Sequence, residues 1–216
     1  SLLGTRLDSL PIVAIPGNHE YLKGVVKTLP ERWKTIFPNP QNGPKRFLGT
    51  SYFVDFPNVR LITLDTDGLH RMSDYTQVVF WLKNTLRNAG DKFTVVMMHH
   101  PVYSTAKGRT NPFILLAFHG AMREADVVFS GHDHNYARRT VQYKARFWKK
   151  EEPTIFIATN AFHKAYPIKN SEKLDNSFSG EPVYEYLQIT HDALHICTYK
   201  VNSGELLDEI VISKSR

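Results

Sequence analysis

The stretch SGHDHNYARR, Ser130 to Arg139, places His132 and His134 two positions apart behind Gly131. Val127, Val128 and Phe129 just before it read as a short buried strand, which Ser130 and Gly131 stop. Two readings are open. One is a polar turn with its imidazoles in solvent. The other is that both imidazoles face a shared ion, or a pair of ions.

Outward from this stretch, two more clusters stand in the same kind of place. HHPVYS, His99 to Ser104, follows the apolar run 93–98, and GNHE, Gly17 to Glu20, follows the apolar run 11–16 (PIVAIP). In open α/β architectures ligands gather at the carboxyl ends of strands, so three loops of this kind are expected to converge. The donor types agree: the Asn18 amide oxygen is a hard donor, and neutral imidazole suits zinc, iron and manganese. Gly17 and Gly131 would let the backbone turn sharply and approach an ion closely. On an extended backbone residues 132 and 134 point to one side, where each serves one of two neighbouring ions.

The rest of the chain frames these loops. Residues 23–36 look helical in patches, broken at Pro30, and 38–44 (PNPQNGP) form a loop. Two strands, 51–56 and 59–65, flank Pro57-Asn58 as a hairpin. A helix starts at Asp74 with Gln77 three residues on; Val78, Trp81, Leu82 and Leu86 form its apolar stripe, and it ends at 88–90. A second helix spans 112–124, with Phe113 and Leu116 in the core. Residues 140–212 are mostly strand-like, with Gly180 and Ser203-Gly204 as turns. With no repeat and no linker, this reads as one mixed α/β domain of layered sheets over 1–216.

Bulk properties exclude little but exclude it clearly. The 216 residues, 42% hydrophobic and 22% charged, have the balance of a globular domain. No apolar run nears the length of a membrane span. The net charge of +6 favours anionic ligands. Cys197, the single cysteine, leaves no intramolecular disulfide and no cysteine-based zinc site, and reads as a small buried hydrophobe.

The ordered series GNHE … HHP … GHDH resembles the calcineurin-like metallophosphoesterase superfamily. HHPVYS with GHDHNYARR is most similar to its purple-acid-phosphatase branch, as are NGP at 42–44 and the hairpin SYFVDFPNVRLITLDT. The resemblance implies a layered β-sandwich flanked by helices. It implies Asn18, His99 and His132 as ligands of one metal and His134 as a ligand of another, the ions being iron, zinc, manganese or magnesium. His99 rather than His100 is the implied ligand, because the family pattern places proline two positions after it, here Pro101. His19 is then the acid beside the scissile phosphorus and Glu20 its orienting neighbour. The implied reaction is hydrolysis of a phosphate ester, preferably a small-molecule monoester, by a water that two metal ions activate. A phosphodiesterase or nuclease of the same superfamily is the nearest alternative, and a non-catalytic scaffold of the same fold is another. Relatives of this branch are commonly exported, which implies a periplasmic or extracellular place.

One departure stands out. Neither DxH/DxG nor GDxx[DY], which supply the bridging Asp and most of the other metal's ligands, precedes GNHE; only Asp8 is acidic there. Gly90-Asp91 reads as a helix end, and Asp65-Thr66-Asp67-Gly68 as a strand end. The chain is therefore expected to be the C-terminal portion of a longer enzyme, holding by itself at most one weakly bound metal.

Outside the motifs, His70, His119, His191 and His195 read as surface or partly buried side chains. His163, after the apolar run 154–158, is a candidate substrate contact. Tyr103 is another, while Arg109 reads as part of a solvated loop. Arg138, Arg139, Lys144, Arg146, Lys149 and Lys150, interleaved with Tyr136, Tyr143, Phe147 and Trp148, have the composition of a nucleic-acid surface. Strand alternation there favours a solvated hairpin instead.

Overall fold

The structure, a computed structural model, describes residues 10–24, 27–143, 152–161 and 164–214. Its centre is a seven-stranded mixed sheet in the order β1-β2-β3-β4-β6-β5-β7. These strands are β1 (Tyr52–Asp55), β2 (Val59–Leu64), β3 (Phe93–Met98), β4 (Val127–Ser130), β5 (Tyr136–Val141), β6 (Thr154–Ala158) and β7 (Asn176–Phe178). The middle strands β2, β3, β4 and β6 run parallel, and β1, β5 and β7 are antiparallel to their neighbours. A separate antiparallel sheet holds β8 (Val183–Ile189), β9 (Ala193–Lys200) and β10 (Leu206–Ser213).

Strand alternation sorts the two faces of the large sheet. From β3, Val96 and Met98 join the core beneath the helices, with Ile62, Leu64, Val128 and Phe156. Phe93 and Val95 face the other way, with Val127 and Ile157, onto Val183, Leu194 and Ile196 of the small sheet. Buried on both faces, the parallel strands are near-continuous apolar runs, as such strands must be.

The helical side carries α1 (Arg32–Ile36), α2 (Met72–Arg87) and α3 (Pro112–Phe118). In α2 the residues Val78, Leu82 and Leu86 are buried, while the Trp81 indole donates to the Asn42 carbonyl at 3.0 Å. The helix begins two residues before Asp74, whose carboxylate sits inside the first turn and accepts the amides of His70 and Arg71 at 3.1 and 3.0 Å. Helix α3 stops at Phe118, short of residue 124, and resumes only as a tight turn over Met122–Glu124 after Gly120. Its phase also differs from the sequence reading. Ile114 and Phe118, four apart, face the core, and Phe113 and Leu116 lie 58% and 81% exposed.

Residues 11–16 form no strand. The strands β2, β3, β4 and β6 are each paired on both sides, so the middle of the sheet has no edge left for them. The segment instead runs along the molecule with Ile15 turned toward Val95 and Phe129, beside an apolar cavity of about 390 Å³ between the sheets. The Ala14 carbonyl accepts the buried Tyr52 hydroxyl at 3.0 Å.

Candidate metal centre

Parallel pairing of β3 with β4 brings the first two clusters side by side. Met98 is in register with Ser130, and the Gly131 amide donates to the His99 carbonyl at 3.1 Å. The next strands contribute too, since Leu64 of β2 is level with Met98 and Ser130 is level with Ala158 of β6. The GNHE loop closes over this edge. Its Glu20 carboxylate turns back to accept the Gly17 amide at 2.7 Å, which fixes the loop's curvature.

Gly17 is required where it stands. A methyl group there would lie 2.7 Å from His99 Nδ1, so only a glycine lets the loop rest on that ring. Gly131 is different: a side chain there would meet His99 at an ordinary 3.7 Å. The tight turn after it belongs to the histidines themselves. His132 and His134 have φ of 66° and 53°, in the left-handed region that non-glycine residues seldom occupy. The extended backbone expected from the sequence is therefore absent, and both rings are held in strained positions of a kind common at functional sites.

Asp133 supplies the restraint. It is fully buried and accepts the amides of Thr105 and Ala106 at 2.6 and 3.1 Å, while Asn135 accepts the Thr105 hydroxyl at 2.7 Å. These bonds tie the GHDH turn to the loop that carries Arg109. The Arg109 guanidinium donates to His132 Nε2 at 2.9 Å and lies 4.4 Å above the Tyr166 ring. Arg109 is thus part of the site and not of a solvated loop.

The donor atoms meet. His99 Nε2 is 2.7 Å from Asn18 Oδ1 and 3.1 Å from His132 Nδ1. Nitrogen atoms of His99, His100 and His132 all lie within 4.8 Å of one another. His19, Glu20 and His134 line the same cavity of about 260 Å³, with Thr159 and Asn160. Burial, helped by neighbouring imidazoles and Arg109, pushes the imidazoles of His99 and His132 down to about 3, so both are neutral near pH 7. His134 is lowered for the same first reason.

Proton placement makes the arrangement a fit for a cation. Arg109 can only donate, so a neutral His132 carries its proton on Nδ1 and gives it to His99 Nε2. The Asn18 oxygen then faces an unprotonated nitrogen at 2.7 Å, lone pair against lone pair. A positive ion there would satisfy the Asn18 oxygen and His99 Nε2 at once; His132 Nδ1 would join them by shifting its proton to Nε2 and releasing Arg109, and the donor set is one that zinc, iron or manganese accepts.

Not every expected residue joins this group. Tyr103 points to the helical side, where it bonds His119, packs on Phe156 at 4.8 Å and carries Arg139 over its ring. His163 and the basic residues 144–150 lie outside the described residues. Arg138 is paired with Asp208 at 2.7 Å, across to the small sheet. His100, set aside by the sequence, lies in the cluster, and its Nδ1 is 3.1 Å from the Thr66 hydroxyl and 3.6 Å from the Asp67 carboxylate. Both Asp67 oxygens are buried without a hydrogen bond, and burial pushes this carboxyl up to about 7.

The chain is similar to known proteins. A family model described as calcineurin-like phosphoesterase matches residues 2–136. A glycerophosphodiester phosphodiesterase, GpdQ, of Enterobacter lignolyticus is 29% identical over 133 residues, 58% of this chain and 45% of the relative. The chain thus spans less than half of that curated protein. Among solved structures, a purple acid phosphatase from yellow lupin (Lupinus luteus) seeds superposes with a TM-score of 0.59 at 18% identity, over 76% of this chain and 32% of that one. GAP50, described as the anchor in the inner membrane complex of Plasmodium, superposes with 0.57 at 16% identity, over 77% and 54%. At these identities the two structures speak for the fold alone.

Proposed function

The chain belongs to the calcineurin-like phosphoesterase family, and from that premise we propose that its cavity serves the metal-dependent hydrolysis of a phosphate ester. The observation that carries this reading is the approach of Asn18 Oδ1 and His132 Nδ1 to 2.7 and 3.1 Å from His99 Nε2, three metal-type donor atoms gathered from three separate loops. These three atoms would hold one ion, and His134, lining the same cavity, would serve a second.

Ions held there would offset charge on the phosphate oxygens and lower the pKa of a water. The chain's own residues do the rest. Asn18 and the histidines hold position because Glu20 and Asp133 lock the loops that carry them. His19, exposed at the cavity wall, is placed to give a proton to the departing alkoxide. Arg109, whose Nε faces the buried Asp133 carboxylate at 3.7 Å, sets a permanent positive charge beside His132 for a phosphate oxygen to use.

A phosphomonoester is the preferred substrate, because a terminal phosphate carries the extra charge that Arg109 would match. The diester reading draws on the relative named as a glycerophosphodiester phosphodiesterase. Chromogenic mono- and diesters assayed with this chain and its His132→Ala variant, at the same added metal, separate them. Turnover of neither ester by the metal-loaded full-length protein would favour the scaffold reading.

A further inference from the structure

The small sheet turns one face to the core and the other to solvent. On β9, Leu194, Ile196 and Thr198 point inward and are buried. His195, Cys197 and Tyr199 therefore share the outward face. Pairing with β10 sets Glu209 directly opposite Cys197. His195 Nε2 lies 2.6 Å from Glu209 Oε1 and 3.5 Å from Cys197 Sγ, and the three donor atoms fall within 4.8 Å of one another.

We propose that His195, Cys197 and Glu209 form a binding site for a zinc-class divalent cation. Thiolate, imidazole and carboxylate together are a donor set that zinc takes, with a fourth position open to water. Spacing agrees with the chemistry. Metal–sulfur and metal–nitrogen bonds of about 2.3 and 2.0–2.1 Å at a tetrahedral angle put sulfur and nitrogen about 3.5 Å apart, which is their separation here. The nitrogen–oxygen edge of the same tetrahedron is about 3.4 Å, so Glu209 would draw back by about 0.8 Å. Its side chain, 52% exposed, has the freedom to do so.

The sheet preorganises the rest. Two donors stand at alternate positions of one strand and the third on the paired strand, so backbone pairing already fixes their spacing. Cys197 is almost covered, while His195 and Glu209 reach solvent, which leaves an entry path beside a sheltered sulfur. A bound ion would clip β9 to β10 and stabilise the native chain by mass action. One cysteine thus suffices where the sequence reading excluded a zinc site.

Because Cys197 is the only cysteine, its thiolate is a private optical reporter. Titrating the chain with Co(II) should raise a near-ultraviolet thiolate-to-cobalt charge-transfer band that Zn(II) bleaches by competition. Cys197→Ser should lose the band, and His132→Ala should keep it. His195→Gln and Glu209→Gln, on the exposed side and safe for folding, should weaken Co(II) binding by about tenfold or more, at least the loss that removing a ligand's own hydrogen-bond partner brings. Zn(II) should raise the thermal midpoint of the parent and not of Cys197→Ser. No charge-transfer band at excess Co(II), or a band of unchanged affinity in both His195→Gln and Glu209→Gln, would overturn the proposal.

Discussion

His99 Nε2 and His132 Nδ1 lie 3.1 Å apart although 33 residues separate them in the chain. Register places them there: β3 and β4 run parallel, and each strand ends where its cluster begins. Burial then keeps both rings neutral, as metal ligands must be.

His132→Ala should abolish metal binding at this centre and the phosphate-ester hydrolysis that depends on it. The ring is half-buried at the cavity wall and belongs to neither apolar core, so circular dichroism should remain that of the parent. Elemental analysis of the dialysed variant checks this, and a full complement of metal would contradict it.

His19→Ala should behave in the opposite way. The residue is exposed and makes none of the close contacts among Asn18, His99 and His132. The variant should keep its metal and lose turnover, most for esters with poor leaving groups, where the donated proton matters. Loss of metal instead would make His19 a ligand.

Gly17→Ala should injure the centre without touching a donor atom. The added methyl would press on the His99 ring from 2.7 Å and force either ring or loop to move. Metal affinity measured by calorimetry should fall by about tenfold or more, the scale of losses when a ligand's orientation is disturbed. An unchanged affinity would show that His99 does not need its present seat.

Much of this was legible in the sequence, and for a physical reason. Glycine after an apolar run marks the strand end, and histidine clusters at strand ends announce shared chemistry, so the sequence alone groups GNHE, HH and GHDH. What escaped depended on tertiary detail. Residues 11–16 have the pattern of a buried strand, but pattern cannot say whether a sheet has an edge to spare. Arg109 entered the site through Asp133 and Thr105, a buried pairing 28 residues apart that no spacing rule foresees. Phe113 and Leu116 were misplaced because a short helix leaves its phase open by one residue. Cys197 was dismissed for want of a second cysteine, and only the β9–β10 register adds Glu209 to it.

Arg109→Ala should leave metal content intact and raise KM about tenfold to 100-fold, the value of one charge-assisted hydrogen bond to phosphate. Inorganic phosphate inhibition should weaken in parallel. A change in kcat alone would assign Arg109 to orienting His132.

Asp67→Asn should change how stability varies with pH. The native carboxyl is pushed from 3.8 up to about 7, so between these values the folded state holds a proton that the unfolded state has released. Its contribution is therefore largest at low pH and declines as pH rises toward 7. The amide has no such decline, and the variant should gain on the parent between pH 5 and pH 8 in urea midpoints. Parallel curves would mean that the carboxylate finds a partner on ionising.

The most direct test is anomalous diffraction from crystals of the chain grown with Zn(II) or Mn(II). A peak is expected at about 2.0–2.2 Å from His99 Nε2, His132 Nδ1 and Asn18 Oδ1 together. Metal bound elsewhere on the chain, with those three atoms still facing one another and no peak between them, would contradict it.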